Sequence, residues 1–133
     1  MMTRPSLAWR ETKKDVAAEV AAGTCEENWA EHLWPDAPVE AIDAVLADYE
    51  ADVAALVADG AVPGDAAVLA VAERAVTRIN AVDHEHGMIE TTERERLCEY
   101  IQAVPEAHGV DVTAMAERHG FDDGDLAGLW RDW

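Results

Sequence analysis

The stretch PVEAIDAVLADYEADVAALVAD, residues 38–59, reads as one long amphipathic helix. Ile42, Leu46, Tyr49, Val53 and Leu56 recur at spacings of 4, 3, 4 and 3. That stripe of two positions in seven suits packing against another helix at a shallow angle. Pro38 suits a first helical position and Gly60 a stop. On a helical wheel Asp43 and Glu50 flank one side of the seam, and Asp48, Asp52 and Asp59 flank the other. The back is alanine at 44, 47, 51, 54, 55 and 58.

The same period runs outward in both directions. Downstream, Val62-Pro63-Gly64 is a turn and Asp65 a cap. Leu69, Ala72, Val76, Ile79 and Val82 form the next seam, which ends near residues 83–86 with Gly87 as a left-handed stop. Thr92 with Glu95 offers a capping box for a helix carrying Leu97, Cys98, Ile101 and Val104. Pro105 predicts a kink or an end there. Asp111 or Thr113 opens a shorter helix around Met115, and Asp125 caps a last turn with Leu126, Leu129, Trp130 and Trp133. Upstream, Ser6 caps a helix to Ala22, with Trp9, Lys13, Val16 and Val20 on one face and Gly23 at its end. Thr24 and Glu27 then read as a capping box for a short helix with Cys25, Trp29 and Leu33 on one face. Strand-like alternation is nearly absent. The expectation is an all-α chain, one domain over residues 1–133, folded as an irregular bundle of five to seven helices.

Charge sets the partners. The chain has 28 acidic residues against 10 Lys and Arg, a formal net charge of −18 in 133 residues. Residues 35–66 hold eight acids and no Lys or Arg. Such a field repels nucleic acid and anionic membrane and attracts basic partners. Asp43, Asp48, Glu50, Asp52 and Asp59 are therefore the expected surface for a basic protein partner, steered by charge and docked through a small apolar centre. A GC-rich or salt-adapted genome is the competing source of the acidity, since 26 residues are Ala and only two are Lys. The small-residue back of residues 44–58 also suits a homodimer.

Half the residues are apolar, so a core can form. No run of about 18 apolar residues offers a membrane span, and residues 1–10 show no secretory h-region. Cys25 and Cys98 belong to no CxxC pair and are expected reduced and mostly buried, which fits a cytoplasmic protein. All five Trp lie near the ends, at 9, 29, 34, 130 and 133, which predicts that the C-terminal segment packs on the N-terminal third.

Chemistry is sparse. The only serine is Ser6, no glycine-rich loop follows a strand, and no basic patch exists. His84, Glu85 and His86, with Glu90, form the one polar cluster of metal-ligand type. Histidines two apart point about 200° from each other on a helix, so they are expected to satisfy a helix C-terminus rather than share a metal. No cofactor or metal is expected; a small-ligand or metal-dependent enzyme centred on His84, His86 and Glu90 is the alternative. The run from Ile79 to Glu95, with the closing Leu129-Trp130-Arg131-Asp132-Trp133, resembles a group of small, acidic, uncharacterised bacterial proteins. Some of these look like immunity-type antidote partners of toxin systems. The resemblance implies a binding role and transfers no catalytic residue.

Overall fold

In the computed structural model, which describes residues 2–133, the stretch quoted above forms α3, Asp36–Leu56. The other helices are α1 (Pro5–Ala22), α2 (Trp29–Leu33), α4 (Asp65–His86), α5 (Thr91–Ala107) and α6 (Val112–His119). Short 3-10 turns cover Ala58–Gly60 and Leu126–Leu129. Among the described residues there is no strand, and no helix is long and apolar enough to cross a membrane. The protein is an all-α irregular helical bundle.

α3 is the central element. Its seam residues Ile42, Leu46, Tyr49 and Val53 are buried, joined by Val39 and Val45. They pack with Val68, Ala72, Val76 and Ile79 of α4 and with Leu97, Tyr100, Ile101 and Val104 of α5 in one contiguous core. Each fully buried aliphatic side chain in that core stabilises the fold by roughly 1.5–3 kcal/mol through removal from water.

The acids beside the seam join α3 to its neighbours. On one shoulder, Asp36 pairs with Lys13, Asp43 with Arg4 and Arg10, and Glu50 with Arg4. On the other, Asp48 pairs with Arg78 and Asp52 with Arg74. Position 13 faces 36 and position 4 faces 50, so α1 runs antiparallel to α3; 78 against 48 and 74 against 52 make α4 antiparallel as well. Six of the eight acids in the base-free block at 35–66 are thus paired with bases from elsewhere in the chain, Asp65 with Arg118 being the sixth, while Glu40 and Asp59 have no such partner among the described residues. Asp43 is the hub: it also accepts from the hydroxyl of Ser6, which is fully buried, at 2.7 Å.

Several helix ends differ from their sequence reading. Thr24 closes α1 rather than opening α2: its backbone N–H and its hydroxyl both donate to the Glu19 carbonyl around the left-handed Gly23. α2 starts four residues after Cys25, where the Asn28 side chain accepts from the Glu31 N–H. Trp29 and Leu33 are exposed, and Cys25 lies partly exposed in a loop, donating to the Glu27 carbonyl at 3.0 Å. The start of α5 is set by Glu90 and Glu93, where the Glu93 carboxylate accepts from the Glu90 N–H, rather than by Thr92 and Glu95. α5 also continues through Pro105 to Ala107. Proline removes the N–H that would bond the Ile101 carbonyl four residues back, and the Tyr49 hydroxyl bonds that carbonyl instead.

The tryptophans form separate groups. Trp34 stacks on Trp9 and meets Trp29 edge-on, with ring centroids 6.1 Å apart in both pairs. The C-terminal arm packs elsewhere, against α4 and α5. The Asn80 side chain holds it, donating to the Trp130 carbonyl at 3.0 Å and accepting from the Asp132 N–H at 3.1 Å. The two ends of the chain therefore use their aromatics on different parts of the bundle, because a polar side chain on α4 fixes the arm's backbone there.

Candidate interaction site

The outward face of α5 forms the floor of a groove with a volume of about 860 Å³. Cys98, Ala103 and Ala107 supply its apolar surface, and Met2 adds to it from the N-terminal end. Glu95, Glu99 and Glu106 line it at helical spacing. Gly124, Asp125 and Arg131 come from the C-terminal arm.

The wall formed by the arm is fixed in place. Gln102, almost fully buried, donates to Asp123 at 2.9 Å and accepts from the Gly124 N–H at 2.8 Å. Thr113 adds a second hydrogen bond to Asp123. Gly124 sits at φ +90, where a side chain would be strained. A Cβ at Gly128 would collide with the Asp125 carboxylate, so a side chain there would require that carboxylate to move. Arg131 lies 3.5 Å from Asp125, donates to the Trp133 carbonyl at 2.8 Å, and has its guanidinium 6.0 Å from the Trp133 ring centroid.

Burial pushes the Cys98 thiol up to about 11; nearby Arg131 opposes this and Asp125 reinforces it. The thiol is therefore protonated across the neutral range and acts as apolar surface rather than as a nucleophile.

The expected partner-binding acids have other work. Asp43 and Glu50 are partly buried in the Arg4 network, and Asp48 and Asp52 are paired with Arg78 and Arg74. Asp59 is exposed at φ 58 in the turn after α3, a left-handed position that aspartate tolerates better than most residues. These five do not form one surface.

The polar cluster is likewise dispersed. α4 remains helical to His86, so His84 and His86 point apart. His84 Nε2 lies 2.9 Å from Asp132 on the C-terminal arm, and His86 lies 3.8 Å from Glu85. Glu90 is taken up at the start of α5. Among the described residues, no group of three or more His, Cys, Asp or Glu converges with metal-binding geometry. The alanines on the back of α3 at 44, 51, 54, 55 and 58 are exposed.

The groove escaped the sequence reading because its walls are 20 to 90 residues away from α5 in the chain. One local signal existed. Cys98 sits beside Leu97 at the edge of the α5 seam, so part of that apolar face had to lie outside the main core. Comparison with known proteins adds no assignment: no protein-family model, no curated protein and no solved structure matches the chain.

Proposed function

We propose that the protein is a non-enzymatic acidic interaction module that binds a basic protein, in the manner of an antidote that masks a basic toxin or enzyme. The observation that carries this reading is where the net charge resides once internal pairing is complete. Among the described residues, seven of the ten Lys and Arg pair with carboxylates within the fold, leaving Lys14, Arg94 and Arg96. Nearly the whole excess of −18 is thus carried by carboxylates that structural ion pairs do not use.

Those carboxylates have an ordered placement. Glu11, Asp15 and Glu19 are exposed at four-residue intervals on α1, and Glu95, Glu99 and Glu106 are exposed along the α5 groove. Clustered charge of one sign speeds encounter with a basic surface, and an apolar groove supplies the contact that slows release. The same field disfavours nucleic acid and a second copy of this acidic chain.

The test is kinetic. A partner captured from the source cells is purified, and its association rate is measured from about 0.05 to 0.5 M salt, a range over which the Debye length falls severalfold. The reading requires a rate that falls about ten-fold or more. It also requires that Glu95→Gln/Glu99→Gln/Glu106→Gln slow association more than Asp48→Asn/Asp52→Asn. A salt-independent rate, or preferential binding of duplex DNA at moderate salt, would overturn it.

A further inference from the structure

We infer that the α5 groove receives a single amphipathic helix of the partner, apolar along one stripe and basic along its flank. This rests on the proposed interaction role and specifies how that role is carried out. Shape comes first. The floor runs from Arg94 to Ala107 along one continuous helix, about 20 Å at 1.5 Å per residue. That is the footprint of three to four turns of an α-helix. Ala103 and Ala107 line the floor, and small residues let a second helix axis approach closely.

Chemistry selects the flank. Glu95, Glu99 and Glu106 stand at relative positions 0, 4 and 11 of α5, a helical repeat that Arg or Lys at matching spacing on an incoming helix can follow. Arg131 and Asp125 already face each other, so they leave the groove's charge balance unchanged. Arg94 is the remaining cation, at the end where α5 begins. A second copy of this chain would bring its own carboxylates into the groove, and the charge therefore selects a basic occupant. The wall at 123–125 is held by Gln102, so the groove exists before binding and ordering costs fall mainly on the incoming segment.

The probe is a synthetic 18-residue peptide with Leu at helical i, i+4, i+7 and i+11 positions and Arg along one flank. A control carries Glu in place of Arg. Amide NMR shifts of the full-length protein report where each binds, and circular dichroism reports whether the peptide becomes helical. The expected result is shifts at Cys98, Ala103, Ala107 and Gly124 with induced helix, and a dissociation constant about ten-fold or more lower for the Arg peptide than for the Glu peptide. Glu95→Lys/Glu99→Lys, which alters only exposed side chains, should reverse the preference between the two peptides. Ala103→Trp should block both.

Equal binding of the two peptides, no shift at α5 with millimolar Arg peptide, or the same shifts arising from self-association on concentration would each overturn the inference. If the peptide arms fail while the captured basic partner still associates in a salt-dependent way, the helix-in-groove mode is wrong and the interaction role stands. If salt-dependent association is itself absent, the interaction role fails first.

Discussion

The Tyr49 hydroxyl donates to the Ile101 carbonyl at 2.6 Å inside the core. Pro105, four residues beyond Ile101, has no N–H to offer that carbonyl. A side chain of α3 thereby completes the backbone of α5, and the helix passes through a proline without ending. Both residues of this contact are buried, and burial pushes the Tyr49 phenol well above its ordinary range, so it stays a donor.

Tyr49→Phe should therefore cost about 1–3 kcal/mol, the penalty for a buried carbonyl left without a partner. In a Pro105→Ala background the restored N–H can serve Ile101, and the same change should cost less. Chemical denaturation of the four proteins gives the coupling directly. Additive costs would show that the hydroxyl does not substitute for the missing helical bond.

Asp43 joins α1 to α3 through Arg4, Arg10 and Ser6. Asp43→Ala should destabilise the protein by about 1–3 kcal/mol, because it strands the buried Ser6 hydroxyl and removes the carboxylate of Arg10, while Arg4 keeps Glu50. Glu40→Gln, an exposed acid on the same helix with no basic partner among the described residues, should stay within about 0.5 kcal/mol of the parent. Thermal melts of both variants separate the two roles of acid on α3. Equal, small effects would return Asp43 to the partner-facing surface.

Asp65 ties the start of α4 to the end of α6. The Arg118 guanidinium, and then His119, hold its carboxyl down at about 2. A folded-state value below the unfolded value of about 3.9 contributes stability that is complete above that unfolded value. It is lost as pH falls through about 2. Carboxyl NMR should place the Asp65 midpoint near 2, and Arg118→Gln should move it upward. Asp65→Asn should make stability fall less steeply between about pH 4 and pH 2. A midpoint at the ordinary value, unmoved by Arg118→Gln, would remove this tether.

The end of the C-terminal arm is held by the Asn80 amide. Asn80→Ala removes the bonds to both Trp130 and Asp132 and should cost about 1–3 kcal/mol. Deleting residues 130–133 should cost more, since Trp133 is 9% exposed and belongs to the core. Unchanged melting temperatures in both would mean the arm is held by something other than Asn80 and its own aromatic burial.

The cysteines should react at different rates. Cys25 sits partly exposed in a loop, whereas the Cys98 thiol is pushed up to about 11. At pH 8 only about one Cys98 in a thousand is ionised on that value. A disulfide exchange reagent at pH 8 should label Cys25 first, and Cys98 labelling should accelerate as pH rises toward 11. Two equally fast thiols would contradict the Cys98 environment.

Local sequence chemistry was sufficient for the existence of the long helices of this protein, but not for all of their ends. The seam Ile42, Leu46, Tyr49, Val53 fixes α3 because its period is set by the helix itself, and Gly23, Gly87 and Gly120 stop their helices in the left-handed conformation that glycine adopts freely. Asp111 caps α6 as its spacing requires, accepting from the Ala114 N–H. Those signals act over three or four residues and survive any tertiary arrangement. What the acids on α3 are for depended on the bases opposite them, and Arg4, Lys13, Arg74 and Arg78 arrive from 20 to 50 residues away. Pro105 reads as a helix end in isolation because the donor that satisfies Ile101 lies on another helix. The groove on α5 has the same origin: Glu95, Glu99 and Glu106 are periodic in the sequence, but its walls exist only where Gln102 holds the 123–125 loop and Asn80 holds the arm. Local periodicity determines the helices; long-range pairing determines which charges are paired within the fold and which remain on the surface.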